Sequence, residues 1–200
     1  MIKIIKNIFV CLCLVFLFSK YSYAIDENLA IQYIEKVGQK AINILKTPIK
    51  DLQTRELLFE QMLNNNFDKK LIHRAVLGRA SKGASKAELE RFGMSFDKHI
   101  VKVYASQLGV YSNQLFIIDK AFKKGKKDTI VSTHIEHETA PPLRIDWRLR
   151  DRGEGIKIID IAIEGVSLLA TKRADFGASI KKGGLHALII DLETKNAENK

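Results

Sequence analysis

Residues 143–165 read LRIDWRLRDRGEGIKIIDIAIEG. The first eight alternate: Leu143, Ile145, Trp147 and Leu149 fall on one side of an extended chain, Arg144, Asp146, Arg148 and Arg150 on the other. DRGEG supplies turn residues. A second run follows, in which Ile159, Ile161 and Ile163 make one apolar face and Asp160, Ala162 and Glu164 the other. Two period-two runs joined by a short turn predict an antiparallel hairpin. The pattern recurs upstream. NQLFIIDKAF (113–122) and TIVSTHIEH (129–137) flank the basic turn KKGKKD and predict another hairpin. The expected sheet is a four-stranded antiparallel meander.

Helical periodicity brackets the sheet on both sides. Asp26 can cap a helix to about Lys46, with Ala30, Ile34, Val37, Ala41 and Ile44/Leu45 on one face. Thr47-Pro48 stops it. A second helix, near 51–63, offers Leu52, Phe59, Met62 and Leu63. Asp68 caps a third that ends at Gly78. Ser85 and Glu88 form a capping box. The helix after it places Phe92, Phe96, Ile100 and Val103 on one stripe, with Tyr104 beside them. Beyond the sheet, Gly183-Gly184 separates helices near 172–182 and 185–193, and residues 194–200 are expected to fray. The fold class is α+β: a four-stranded antiparallel twisted sheet with helices before and after it, in one domain over 25–193.

The first 24 residues read as a secretory signal peptide. Lys3 and Lys6 precede the apolar run IFVCLCLVFLF, and Ser22 and Ala24 flank Tyr23 at a cleavage site after Ala24. Cleavage removes Cys11 and Cys13, so the core alone must hold the exported domain. It also removes Lys3, Lys6 and Lys20, so 33 basic residues become 30 against 23 acidic ones. The remaining positive charge suits a solvated basic surface, or docking to an anionic membrane or acidic partner. Export argues against nucleic acid.

The motifs of catalysis are absent or wrongly spaced. His134 and His137 sit three apart on a strand and point to opposite faces, which does not suit a zinc pair. Ser167 follows Gly165 without the second glycine of a nucleophile elbow. Asp160 and Glu164 share a strand face at a spacing of about 13 Å, too wide for paired glycosidase carboxylates. No phosphate-binding glycine loop occurs. The reading is of a chain that is not an enzyme.

APPLRIDWRLR and IKIIDIAIEGVSLLATKRADFGASIKKGGLHALIIDL together resemble the MlaC family, the toluene-tolerance or phospholipid-binding auxiliary proteins. The EGVSL corner, the TKR-x-x-F helix start and the KGG-L-x-x-L ending carry the resemblance. FDKKLIHRAVLGR, ASKAELERF and IVKVYASQL-x-x-Y match upstream, in the same order. Ala80 and Ile156 depart from the family's usual aromatics.

The resemblance implies a periplasmic phospholipid carrier that supports outer-membrane lipid asymmetry. Its partners would be phospholipid, the substrate-binding ring of an inner-membrane ABC transporter and an outer-membrane lipoprotein complex, with transient membrane proximity. It implies no cofactor; the processed, cysteine-free chain is expected to be a monomer when free. Acyl tails would enter a deep apolar cavity enclosed by sheet and helices. The expected lipid-binding residues are Phe96, Ile100, Tyr104, Leu143, Ile145, Trp147, Leu149, Ile161, Ile163 and Val166, with Gly165 bending the fourth strand so that Val166 turns inward. Arg173 is expected to pair with a carboxylate as a structural tie, with headgroup binding as the alternative. Pattern alone reads these apolar faces as a filled core; the resemblance reads them as a cavity wall. The alternative function is a periplasmic adaptor that docks on a transporter without carrying lipid. Because the processed chain keeps no cysteine, its melting temperature is expected to be unchanged by reductant; a fall on adding reductant would contradict the reading.

Overall fold

The computed structural model describes residues 24–107, 114–136 and 141–198. The leader up to Tyr23 lies outside the described residues, as does His137. Helices come first: α1 (Glu27–Leu45), α2 (Leu52–Asn66), α3 (Lys69–Leu77), the single turn α4 (Ala80–Gly83) and α5 (Lys86–Gln107). Strands β1 (Leu115–Lys124), β2 (Asp128–Glu136), β3 (Leu143–Asp151), β4 (Ile156–Ile163) and β5 (Val166–Ser167) follow, then α6 (Leu168–Glu198). The caps are those the sequence signals. Asp26 accepts from the amides of Asn28 and Leu29, Asp68 from that of Leu71, and Ser85 and Glu88 bond reciprocally.

The strands form one antiparallel sheet in chain order. It has five strands rather than four. Glu164 and Gly165 both have positive φ, 49° and 79°, so the chain makes a two-residue turn after β4 instead of a bulge. Glu164 is held there by Arg144, whose amide donates to Oε1 at 2.6 Å and whose carbonyl accepts from Glu164 N at 3.1 Å. The turn sends Val166 back along Ile163 as the short fifth strand.

A register shift corrects the expected face of β4. Asp160 lies opposite Arg148, but Ile158, not Ile159, lies opposite Leu149. The extra residue puts Ile158, Ile161 and Ile163 on one face and leaves Ile159 at the irregularity. Successive rows across that face read Phe116, Ile135, Leu143; then Ile118, Thr133, Ile145, Ile163; then Ala121, Val131, Trp147, Ile161.

The C-terminal helix is longer than expected at both ends. It breaks at Gly184 (φ 80°), yet it starts at Leu168 and runs to Glu198. Its start is fixed by Ser167 Oγ, which accepts from Ala170 N, and by Asp160, which accepts from Leu169 N at 3.1 Å and from the Ser167 hydroxyl at 2.6 Å. Near its end it is tied to α5. Asn196 is buried and donates to the Ser95 carbonyl, while Lys102 donates to the Asn196 carbonyl. Arg91 grips Glu193 through two hydrogen bonds of 2.7 and 2.6 Å, clamping α5 to α6. Arg173 has no ion-pair partner among the described residues; its guanidinium packs over Gly78, whose positive φ and missing Cβ leave it room.

Three apolar clusters result. One joins α1 to the sheet through Ile34, Val37, Val131, Trp147 and Leu149. A second joins α3, α5 and α6 through Val76, Phe92, Phe96, Phe176 and Leu188. A third joins α1, α2 and α5 through Ile44, Phe59 and Val101. Phe92 and Phe96 are stacked 5.5 Å apart, and Phe176 meets both edge-on.

On the opposite face of the sheet, Asp128 is buried between Arg148 and Arg150. Arg148 Nε donates to it at 2.7 Å and Arg150 Nη2 at 2.9 Å. Burial alone would raise its carboxyl pKa, but the two guanidiniums outweigh burial and hold it below the ordinary value. A depressed folded-state pKa stabilises the fold above the unfolded value of about 3.9 and ceases to do so as pH falls through the folded value. Asp128→Asn is therefore expected to cost about 1.5–3 kcal/mol at neutral pH. Urea titrations at several pH values check this. The gap between variant and parent should shrink below about pH 4; a constant gap would remove the charge from the account.

Candidate functional site

The three clusters do not merge. Between them lies a pocket of about 540 Å³. Helix α1 supplies Gly38, Ala41, Ile42 and Leu45, and α2 supplies Phe59, Met62 and Leu63. From the sheet come Phe116, Ile135, Leu143, Ile145, Trp147, Ile161 and Ile163. Helix α5 adds Phe96, Ile100, Val101 and Tyr104.

Two contacts shape the sheet side. Trp147 lies in the wall with its indole nitrogen donating to Thr133 Oγ1 at 3.0 Å, so the buried donor is satisfied. Phe116 meets Trp147 edge-on and packs against Gly38, where a Cβ would lie 2.7 Å from Phe116 Cζ. Glycine at 38 thus lets a pocket-lining ring rest on the helix backbone.

The pocket is asymmetric in charge. Helices α1 and α2 and strand β3 bring no charged side chain to its lining. The ionisable lining residues are Lys69 and His73 from α3, Asp97 from α5, Asp160 from β4 and Lys172 from α6. Asp97 is shared: Lys69 Nζ lies 3.0 Å from one oxygen and His73 Nε2 2.6 Å from the other. His73 is edge-on to Phe96, and Gly93 gives its ring space, since a Cβ there would fall 2.9 Å from it. Asp160 is occupied in capping α6. Burial raises the pKa of Tyr104, which keeps it a neutral phenol in the wall.

Eight of the ten expected residues line the pocket: Phe96, Ile100, Tyr104, Leu143, Ile145, Trp147, Ile161 and Ile163. Two do not. Leu149 has the right strand parity but sits beyond the pocket, fully buried against α1 in the first cluster. Val166 is 59% exposed, because the turn at Glu164-Gly165 carries it outward. The pattern missed Asp160, Lys172, Phe116 and the Lys69–Asp97–His73 group. The spacing of the last, two residues on α3 and one on α5, appears in no local motif. His134 engages Asp119 at 2.7 Å and Glu136 at 3.5 Å on the sheet, away from the pocket lining.

Among solved structures, this chain is similar to the phospholipid-binding protein from Ralstonia solanacearum, determined in complex with a phospholipid. The two superpose with a TM-score of 0.73 at 20% identity, covering 84% of this chain and 97% of that one. At such identity the likeness speaks for the fold. The family model described as MlaC protein matches residues 35–194, from α1 through the sheet and into α6. With every wall of the pocket inside that match, the chain belongs to the MlaC family.

Proposed function

We propose that this chain is a periplasmic phospholipid carrier, which moves lipid between the outer membrane and an inner-membrane ABC transporter without making or breaking a bond. The observation that carries the reading is the pocket itself: an apolar space of about 540 Å³ whose charged lining residues all come from α3, α5, β4 and α6. An amphipathic ligand with long hydrocarbon tails has that distribution of polarity. The phospholipid bound by the Ralstonia protein of the same fold supports the choice of ligand, and the leader supports export.

The energetics favour a nearly complete wrapping of the tails. A two-chain lipid exposes roughly 30 methylenes, so at about 0.8 kcal/mol each, bare passage through water costs over ~20 kcal/mol. A pocket that replaces the bilayer interior brings transfer close to thermoneutral. Docking on partners can then bias its direction.

Native mass spectrometry and lipid extraction of the gently purified protein test the proposal. Co-purified phospholipid is expected. A protein free of lipid after mild handling favours the adaptor reading. Ile145→Asp should fold, because a carboxylate in an open pocket keeps water, and lose its lipid; the stability loss should stay below about 2 kcal/mol. Val166→Asp should fold and keep its lipid, since Val166 faces out. Full lipid occupancy in a folded Ile145→Asp would take the sheet wall out of the site.

A further inference from the structure

Of the charged residues that line the pocket, Lys172 is set apart. Lys69 and His73 share Asp97, and Asp160 is taken up by Ser167 and the amide of Leu169. Lys172 has no ion-pair partner among the described residues. It is half-buried on the first turns of α6, four residues after Leu168 and three after Leu169, which line the same pocket. A lysine kept in the wall of an apolar pocket without a carboxylate is a cation whose counterion must come from elsewhere.

His99 on α5 registers this field. Its Nδ1 is buried and without a hydrogen-bond partner among the described residues. Burial depresses the imidazole pKa first, then the positive charges of Lys172 and of Lys195, while Asp191 acts the other way. The positive charge of Lys172 thus acts on the His99 ring.

We infer that Lys172 is the anchor for the phosphodiester of the bound lipid, and that this one cation fixes which end of the ligand lies against the α6 side of the pocket. The inference rests on the carrier reading and deepens it: apolar walls hold the tails, and Lys172 sets orientation and selects for a phosphate. The neighbouring Lys69 is already engaged by Asp97, which also meets His73, so this group gives the α3 side polarity.

Two probe lipids with matched acyl chains separate the roles: phosphatidylglycerol, which has the phosphate, and diacylglycerol, which lacks it. Binding to the full processed chain is measured by titration for the parent, Lys172→Gln and Lys172→Arg, each checked for folding by circular dichroism. The parent should prefer phosphatidylglycerol. Lys172→Gln should weaken phosphatidylglycerol about tenfold, the scale of one charge-assisted hydrogen bond, and leave diacylglycerol unchanged; Lys172→Arg should restore most of the loss. NMR titration of His99 gives a second readout. Phosphatidylglycerol should raise its pKa by offsetting Lys172, and diacylglycerol should not. If Lys172→Gln weakens both lipids equally or neither, the anchor is overturned while tail binding stands. If the parent takes neither lipid, the carrier reading falls and the anchor with it. If inorganic phosphate alone raises the His99 pKa as phosphatidylglycerol does, the site is one for free anions and the assignment to a lipid headgroup is overturned.

Discussion

An apolar space inside a protein persists only where its walls are prevented from closing on it. Interiors pack to nearly crystalline density, and buried side chains move to fill gaps. Here the walls belong to three clusters, each already satisfied by its own contacts. Val131, Trp147 and Leu149 hold the sheet to α1; the stacked Phe92 and Phe96 hold α5 to Phe176 on α6; Phe59 and Val101 hold α2 to α5. Polar ties fix the spacing. The Tyr33 hydroxyl donates to the Asn66 carbonyl at 3.2 Å, and Asp68 N donates to Ile158 O at 3.0 Å, linking the helical layer to β4. Burial pushes the Tyr33 phenol up to about 12, so it stays a donor across physiological pH. Collapse would break several of these at once to gain one contact surface.

The same arrangement suits reversible loading. A pocket lined by rigid rings and aliphatic side chains gives the tails dispersion contacts comparable to those among lipid chains. For the proposed carrier, lipid would enter and leave with little net change in free energy. The proposed Lys172 anchor would add orientation and preference for a phosphate to what the apolar walls hold. Asp160 illustrates how the two functions share residues: one carboxylate caps α6, fixes the corner after β5, and so sets where Leu168, Leu169 and Lys172 stand in the wall.

Most of the fold was legible in the sequence, because its signals are local. Alternation at 143–150 set β3, the Asp26, Asp68 and Ser85 caps set three helix starts, and Gly78 and Gly184 set a stop and a break. What escaped was non-local. The Asp160–Ser167 bond starts α6 four residues earlier than periodicity suggests, and the burial of Asn196 against Ser95 keeps its end helical. Strand parity named five pocket residues and the helical stripe of α5 three more, but parity could not say how far along β3 the pocket extends, so Leu149 was included. Val166 was misplaced because a glycine after a glutamate reads as a bulge or a turn until the φ of Glu164 is known. No pattern distinguishes a wall from a core, since both need the same apolar faces.

Trp147 is the single tryptophan of the chain, and it lines the pocket while being only 7% exposed. Its fluorescence therefore reports from inside the proposed site. The most direct measurement is quenching by phosphatidylglycerol brominated in the acyl chains, compared with the same lipid unbrominated. The account predicts strong quenching by the brominated lipid as the protein loads, with none from its unbrominated counterpart. Lipid bound in the same sample with Trp147 emission unaltered would place the tails elsewhere and contradict the account.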